Sequence, residues 1–422
     1  MKKLVTILVV ILTLASFQKL VAQDVINLGV NDSIASTVKS YTGTSTELII
    51  VIPNGYTNPE FTAAKSIVLD TLTLHKFVQK VTIKGDGSNP KLLVKQFVLP
   101  QRALNSFTAQ GLTISGVDEA TSTSPYSLTG YMFNCSSAAI NVTNLNIIGC
   151  SVADYRGVVR LQTSGLTVTN LKFDNCVVRN IGYAASSYNI VNAAAGTILN
   201  NITLTNSTFY SINGSFLNIS AIYSTVTAVT IDKCTFDDIM INTTAKYLLD
   251  LTASNTTTPV SITNSIFARA GASNKGVRGG VITSTNNYAT TDWVASVTAN
   301  MFTTTPYTGT YAALFKSPTT YDTTNQLTTI GNYAIADGAF PAGVGDPKGG
   351  TLTALTAPRV SSDIRFNGSE ISVPEARTIN VFNVTGLLLK SATNANRLSV
   401  SDLPSGIYIV KAGNAIQKIA IR

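Results

Sequence analysis

Charge is scarce in this chain, with Asp, Glu, Lys and Arg making up 12% of 422 residues. Histidine and tryptophan each occur once. The lone imidazole, His75 in "LTLHKF", reads as a surface or edge residue rather than a catalyst. Cysteine stops at four residues, and none lies near His75, so a Cys/His metal site has little support. Beyond the first two dozen residues no apolar run is long enough to cross a bilayer. The formal net charge of +8 sits at the two ends. Without residues 1–22 the count is 27 basic against 22 acidic, and eight of those basic and four of those acidic residues lie from Arg359 onward. The central body is therefore almost neutral, which argues against nucleic acid as a partner.

What the chain has in quantity is repetition. "LNIIGCSV", "LKFDNCVV", "ITLTNSTF", "VTIDKCTF" and "VSITNSIF" are versions of one phrase, with "VTANMF" a looser sixth. Their last residues are Val152, Val178, Phe209, Phe236, Phe267 and Phe302, at steps of 26, 31, 27, 31 and 35. Such steps suit a coil of three short strands in which one loop per turn varies in length. Val, Ile, Thr and Phe dominate the runs, as half-buried pleated surface requires. Each strand should pair in parallel with its copy one turn away, about 4.8 Å along the axis, in a right-handed path. Gly149, Asn175, Asn206, Lys233 and Asn264 occupy the bend, where Asn tolerates the turn and its amide can bond to the copies above and below. Cys150, Cys176 and Cys234 follow the bend as an inward column that Ser207 and Ser265 complete. Cys150 and Cys176 are close enough for a bridge, but the Ser replacements favour a column of small buried residues.

The repeat resembles the right-handed parallel β-helix of the pectate-lyase-like superfamily, in particular its secreted Bacteroidetes branches. "DSIASTVKSY" places Ile34, Val38 and Tyr41 at helical spacing and is similar to the amphipathic helix that caps the first coil in that superfamily. The resulting fold class is all-β: a parallel β-helix with three strands per coil and a helical N-terminal cap, followed by a small β-sandwich.

"MKKLVTILVVILTLASFQKLVAQ" reads as a signal peptide cleaved after Ala22, so residues 1–22 are removed and residues 23–336 form the β-helix. Residues 337–358, rich in Gly, Pro and Ala, read as a linker. Residues 359–422, with "INVFNVTGLLL", "LSVSDLPSGIYIV" and "QKIAIR", resemble the C-terminal sorting domain of the Bacteroidetes type IX secretion system, with "ISVPEART" where that family opens on Pro-Asn-Pro. That resemblance implies handling by the type IX machinery, passage through the periplasm, and release or display at the outer surface. A monomer is expected.

In the superfamily the substrate groove follows the strand after the variable loop. Here that strand offers an outward column of Asn134, Arg160, Asn192, Asn218, Asp250 and Thr283. Loops beside it would contribute Tyr155, Arg156, Arg179, Tyr183, Asp237, Asp238 and Lys246. Asn, Arg and Tyr on one face suit sugar hydroxyls and ring faces. Resemblance to the lyases implies β-elimination, with Arg160 or Lys246 as base and Asp237, Asp238 and Asp250 as tentative Ca²⁺ ligands. A hydrolase would need several Asp on neighbouring turns, and the column offers one. Two function classes stand at this point: an exported protein that binds, and by resemblance cleaves, acidic plant or host polysaccharide, or a noncatalytic surface β-helix acting as adhesin or spacer.

Overall fold

The computed structural model describes residues 23–350 and 364–421, apart from 58, 60–65, 70–73, 118–129, 183–187, 195, 220–224, 242–246, 252–256, 272–273, 295–301, 320–329, 384–386 and 413–414. The signal segment therefore lies outside the described residues. The chain divides into two compact units, 1–354 and 355–422.

The first unit is a parallel β-helix. Its strands align into three parallel sheets of ten, nine and eight strands, one strand of each sheet per full turn. The repeats stack as their spacing requires: Val152 pairs with Val178, Val178 with Phe209, Phe209 with Phe236 and Phe236 with Phe267. Phe209, Phe236 and Phe267 lie ring on ring, with centroids 5.1 and 5.2 Å apart. The sixth copy departs from this. Ala289, not Phe302, is the register partner of Phe267. Phe302 instead packs on Phe267 and Trp293 and closes the end of the core. At the other end the helix Ile34–Ser40 buries Ile34 and Val38, and the Ser33 hydroxyl caps it by accepting from the Ser36 N–H at 2.9 Å.

The bend residues are selected by backbone conformation. Gly149, Asn175, Asn206, Lys233 and Asn264 all have φ between 49 and 61°, a left-handed geometry that Gly and Asn tolerate best. The expected amide-to-amide bonding occurs between Asn286 and Asn264, at 2.7 Å. Asn206 and Asn264 donate instead to the carboxylates of Asp174 and Asp232 on the preceding turn. The serines of the inward column accept backbone N–H groups, Ser207 from Cys176 at 2.9 Å and Ser265 from Cys234 at 3.1 Å. All four thiols are buried and free, so Cys150 and Cys176 are not bridged. Burial pushes the Cys176 thiol up to about 12, which leaves it protonated and inert.

Beyond the last coil the chain turns back over the outer face of the nine-stranded sheet. Leu314, Phe315, Tyr333, Phe340 and Val344 of this strap form a second core with Val177, Tyr210, Ile266 and Ala268 of the sheet. Residues 337–350, which composition marks as linker, are part of it. Asp346 accepts from the Thr208 hydroxyl at 2.8 Å and Lys348 donates to the Asn206 carbonyl at 3.2 Å. Gly345 is required there: φ is 78°, and a Cβ would come within 2.5 Å of Ile266.

The second unit is antiparallel. Its long strands Glu370–Asn383, Leu388–Ser399, Gly406–Ala412 and Ala415–Ile421 enclose their own core, which includes Ile371, Ile379, Val381, Tyr408 and Val410. Within "LPSGIY" the Tyr408 hydroxyl donates to the Pro404 carbonyl at 2.6 Å and ties the turn to the strand.

Candidate functional site

A three-sided coil has three outer faces, and they differ in how much of their polar surface is already bonded. On the ten-stranded face, Asn201 donates to Asn170 at 2.8 Å and Asn170 to Asn144 at 2.9 Å. Lys172 pairs with Asp174 there at 3.0 Å. The nine-stranded face carries the strap. The eight-stranded face is neither laddered nor strapped among the described residues.

On that face the backbone register aligns Asn134, Arg160, Asn192, Asn218 and Asp250 in one column. The strands alternate inward apolar and outward polar residues, so every second residue lands on the same face. Thr283 is not in this column. It pairs with Ser261 in the ten-stranded sheet, and Arg278 takes the rung beside Asp250. The final coil is short, so Val277–Arg278 continues the groove strand while Val281–Thr285 already belongs to the next sheet.

The expected loop walls are replaced in part by longer strands. Tyr155, Arg179 and Asp237 lie within strands of the nine-stranded sheet, which bends at Asp154, Asn180, Ser211 and Asp238 with φ of 51 to 64°. Tyr155 is therefore not a groove residue. It is 1% exposed, and its hydroxyl donates to the Val94 carbonyl. Arg179 is likewise buried. Tyr183 and Lys246 lie outside the described residues. Arg156 does flank the column, with its guanidinium 3.9 Å over the Tyr188 ring.

The carboxylates do not fit a Ca²⁺ nest. Both oxygens of Asp237 are held by Arg269, at 2.8 and 2.5 Å, and Tyr333 of the strap adds a third bond at 3.0 Å. Asp250 takes a paired bond from Arg278 at 2.7 and 2.6 Å. Asp237 is fully buried under the strap. Burial raises its carboxyl and pushes that of Asp238 up to about 6. Among the described residues no three metal-type ligands converge.

Sequence reasoning missed Tyr131, Tyr188 and Tyr247, and expected Arg278 on a loop wall rather than on a rung of the column. Tyr131 stands beside Gly157 in the register, and a glycine inside a strand is the signal that marks such a close approach. Arg160 lies 5.7 Å from the Tyr131 ring and Arg278 lies 4.7 Å from that of Tyr247. The face thus pairs aromatic rings with cations at both ends of a run of amides.

Two family models match the chain. A domain of unknown function (DUF4957) matches residues 70–212, and a secretion system C-terminal sorting domain matches residues 363–422. The second unit is a type IX secretion sorting domain. The protein is accordingly secreted or displayed at the cell surface, and its tail is handled by the type IX machinery. No helix of the described residues is long and apolar enough to cross a membrane. Neither matched model is a pectate-lyase family, so the likeness to that superfamily rests on the coil. The match to residues 70–212 includes Tyr131, Arg156, Arg160 and Asn192. No curated protein and no solved structure matches the chain.

Proposed function

We propose that this exported protein binds acidic glycan along the outer face of its eight-stranded sheet. The supporting observation is the register column, in which Asn134, Asn192 and Asn218 stand one per rung beside Arg160. Polar side chains at fixed intervals of about 4.8 Å suit an extended sugar chain lying along the axis. The Asn134 and Asn218 amides take no hydrogen bond within the described residues, unlike the laddered amides of the ten-stranded face. Arg160 supplies a planar fork for a sugar carboxylate, and the half-buried Tyr188 adds ring surface beside it. Asp237 and Asp250 are already held by guanidinium groups, which favours binding over Ca²⁺-assisted elimination. The outer-membrane surface is the proposed place of action.

Arg160→Ala should weaken binding of uronate-bearing glycans by roughly 1.5–3 kcal/mol, the worth of a hydrogen bond to a charged group. Titration calorimetry on a panel of such glycans reads this directly. Unchanged affinity in the variant would transfer the function to the adhesin or spacer reading.

A further inference from the structure

Cations stand at both ends of the groove face, but among the described residues the guanidinium groups without a carboxylate partner lie at one end, since Arg278 at the other is bonded to Asp250. Arg156 and Arg160 flank the rung of Tyr131 and Gly157, and neither pairs with a carboxylate among the described residues. Tyr131 is pressed against the backbone, because a Cβ on Gly157 would meet its Cε1 at 2.1 Å and the Asn189 carbonyl at 2.4 Å. That contact makes the phenol 2% exposed. Its hydroxyl has no well-formed hydrogen bond within the described residues, although Asn192 lies alongside, and the buried Arg156 Nε is also without a partner. Burial raises the Tyr131 hydroxyl above its ordinary range, so it remains a proton donor at neutral pH. One O–H and two guanidinium groups therefore converge, with Gln162 positioned to accept from Arg160 Nε at 2.9 Å once its amide is turned to suit.

The following rungs are different. Asn192 and Asn218 are neutral, and Asp250 is neutralised by Arg278 at 2.6 Å. From Arg160 to Arg278 is four rungs, about 19 Å at strand spacing. A polyuronate laid along this face would place a carboxylate on nearly every rung, including that of Asp250. Its charge would find two guanidinium groups without carboxylate partners at one rung, and at the Asp250 rung only a guanidinium already bonded.

We infer that the groove selects a sparsely charged glycan, in which one acidic sugar is flanked by neutral sugars and seats its carboxylate against Tyr131, Arg156 and Arg160. This specificity rests on the glycan-binding reading of the same face. The test is calorimetry of the mature full-length protein with three probes of equal length: a neutral xylo-oligosaccharide, the same oligosaccharide bearing one glucuronate, and an oligogalacturonate. The singly charged probe should bind roughly tenfold tighter than either other probe. Tyr131→Phe keeps the ring over Gly157 and removes only the hydroxyl. It should reduce affinity for the singly charged probe roughly tenfold, the scale of one hydrogen bond to a charged group, and so close most of the gap to the neutral probe. Oligogalacturonate binding as tightly as the singly charged probe would overturn the selectivity while the groove reading stands. So would a Tyr131→Phe protein, folded by circular dichroism, with unaltered affinities. Failure of all three probes to bind would overturn both.

Discussion

Lys233 sits at a left-handed bend, with φ of 52°, where the neighbouring turns use Asn206 and Asn264. A lysine there has a Cβ close to the following carbonyl and no short side chain to offset the crowding. Lys233→Asn should therefore stabilise the coil by about 0.5–1 kcal/mol. A rise in the urea midpoint of the β-helix unit is the expected reading. A fall would mean that left-handed backbone conformation does not govern the choice of residue at the bend. The same residue-scale logic separates two kinds of asparagine. Asn144, Asn170 and Asn201 bond to one another and hold strands in register, whereas the side-chain amides of Asn134 and Asn218 take no hydrogen bond among the described residues.

The strap is the element on which stability should depend on pH. It holds Asp237 through Tyr333, and Arg269 of the same network stacks on Tyr311 at 3.7 Å. Beside it, burial chiefly, with the Asp237 charge adding, holds the Asp238 carboxyl at about 6, above an unfolded value near 3.9. The folded state thus binds a proton more readily in that interval. The stability this confers is fully present below about pH 4 and is lost as pH rises through about 6. Asp238→Asn removes the titration while keeping the shape and the bond from Ser211. Relative to the wild type, the variant should gain in Tm between pH 4.5 and pH 7. An unchanged difference across that range would show that Asp238 titrates like an exposed carboxylate.

At the scale of the whole molecule, the two units have separate cores. A coil buries its apolar surface against its neighbouring turns, so it does not need a tail to fold. Deleting residues 363–422 should leave a folded β-helix that stays in the periplasm, as fractionation and protease protection would show. Full-yield export of the truncated protein would refute the role of the tail. The break must fall after residue 350, because the strap belongs to the coil and covers Val177, Tyr210 and Ile266.

The sequence by itself determined the coil, its register over five repeats, the helical cap, the exported destination and most of the groove column. Each of these follows from periodicity: a side chain every second residue and a strand every turn leave little freedom in where Arg160 or Asn218 points. The sorting tail was legible because "LPSGIYIV" is a local motif whose turn and strand are set by neighbouring residues. Tertiary structure decided what periodicity does not encode. Residues 337–350 have the composition of a linker, yet they lie in a strap because an apolar stripe of Val177, Ile266 and Ala268 is there to be covered. Asp237 and Asp250 looked like free carboxylates, but contacts 28 to 96 residues away in sequence bond them. Tyr131 joins the site only because Gly157, one turn later, leaves room for its ring. Contacts between distant segments depend on the shape of both surfaces, and no single stretch of the chain contains both.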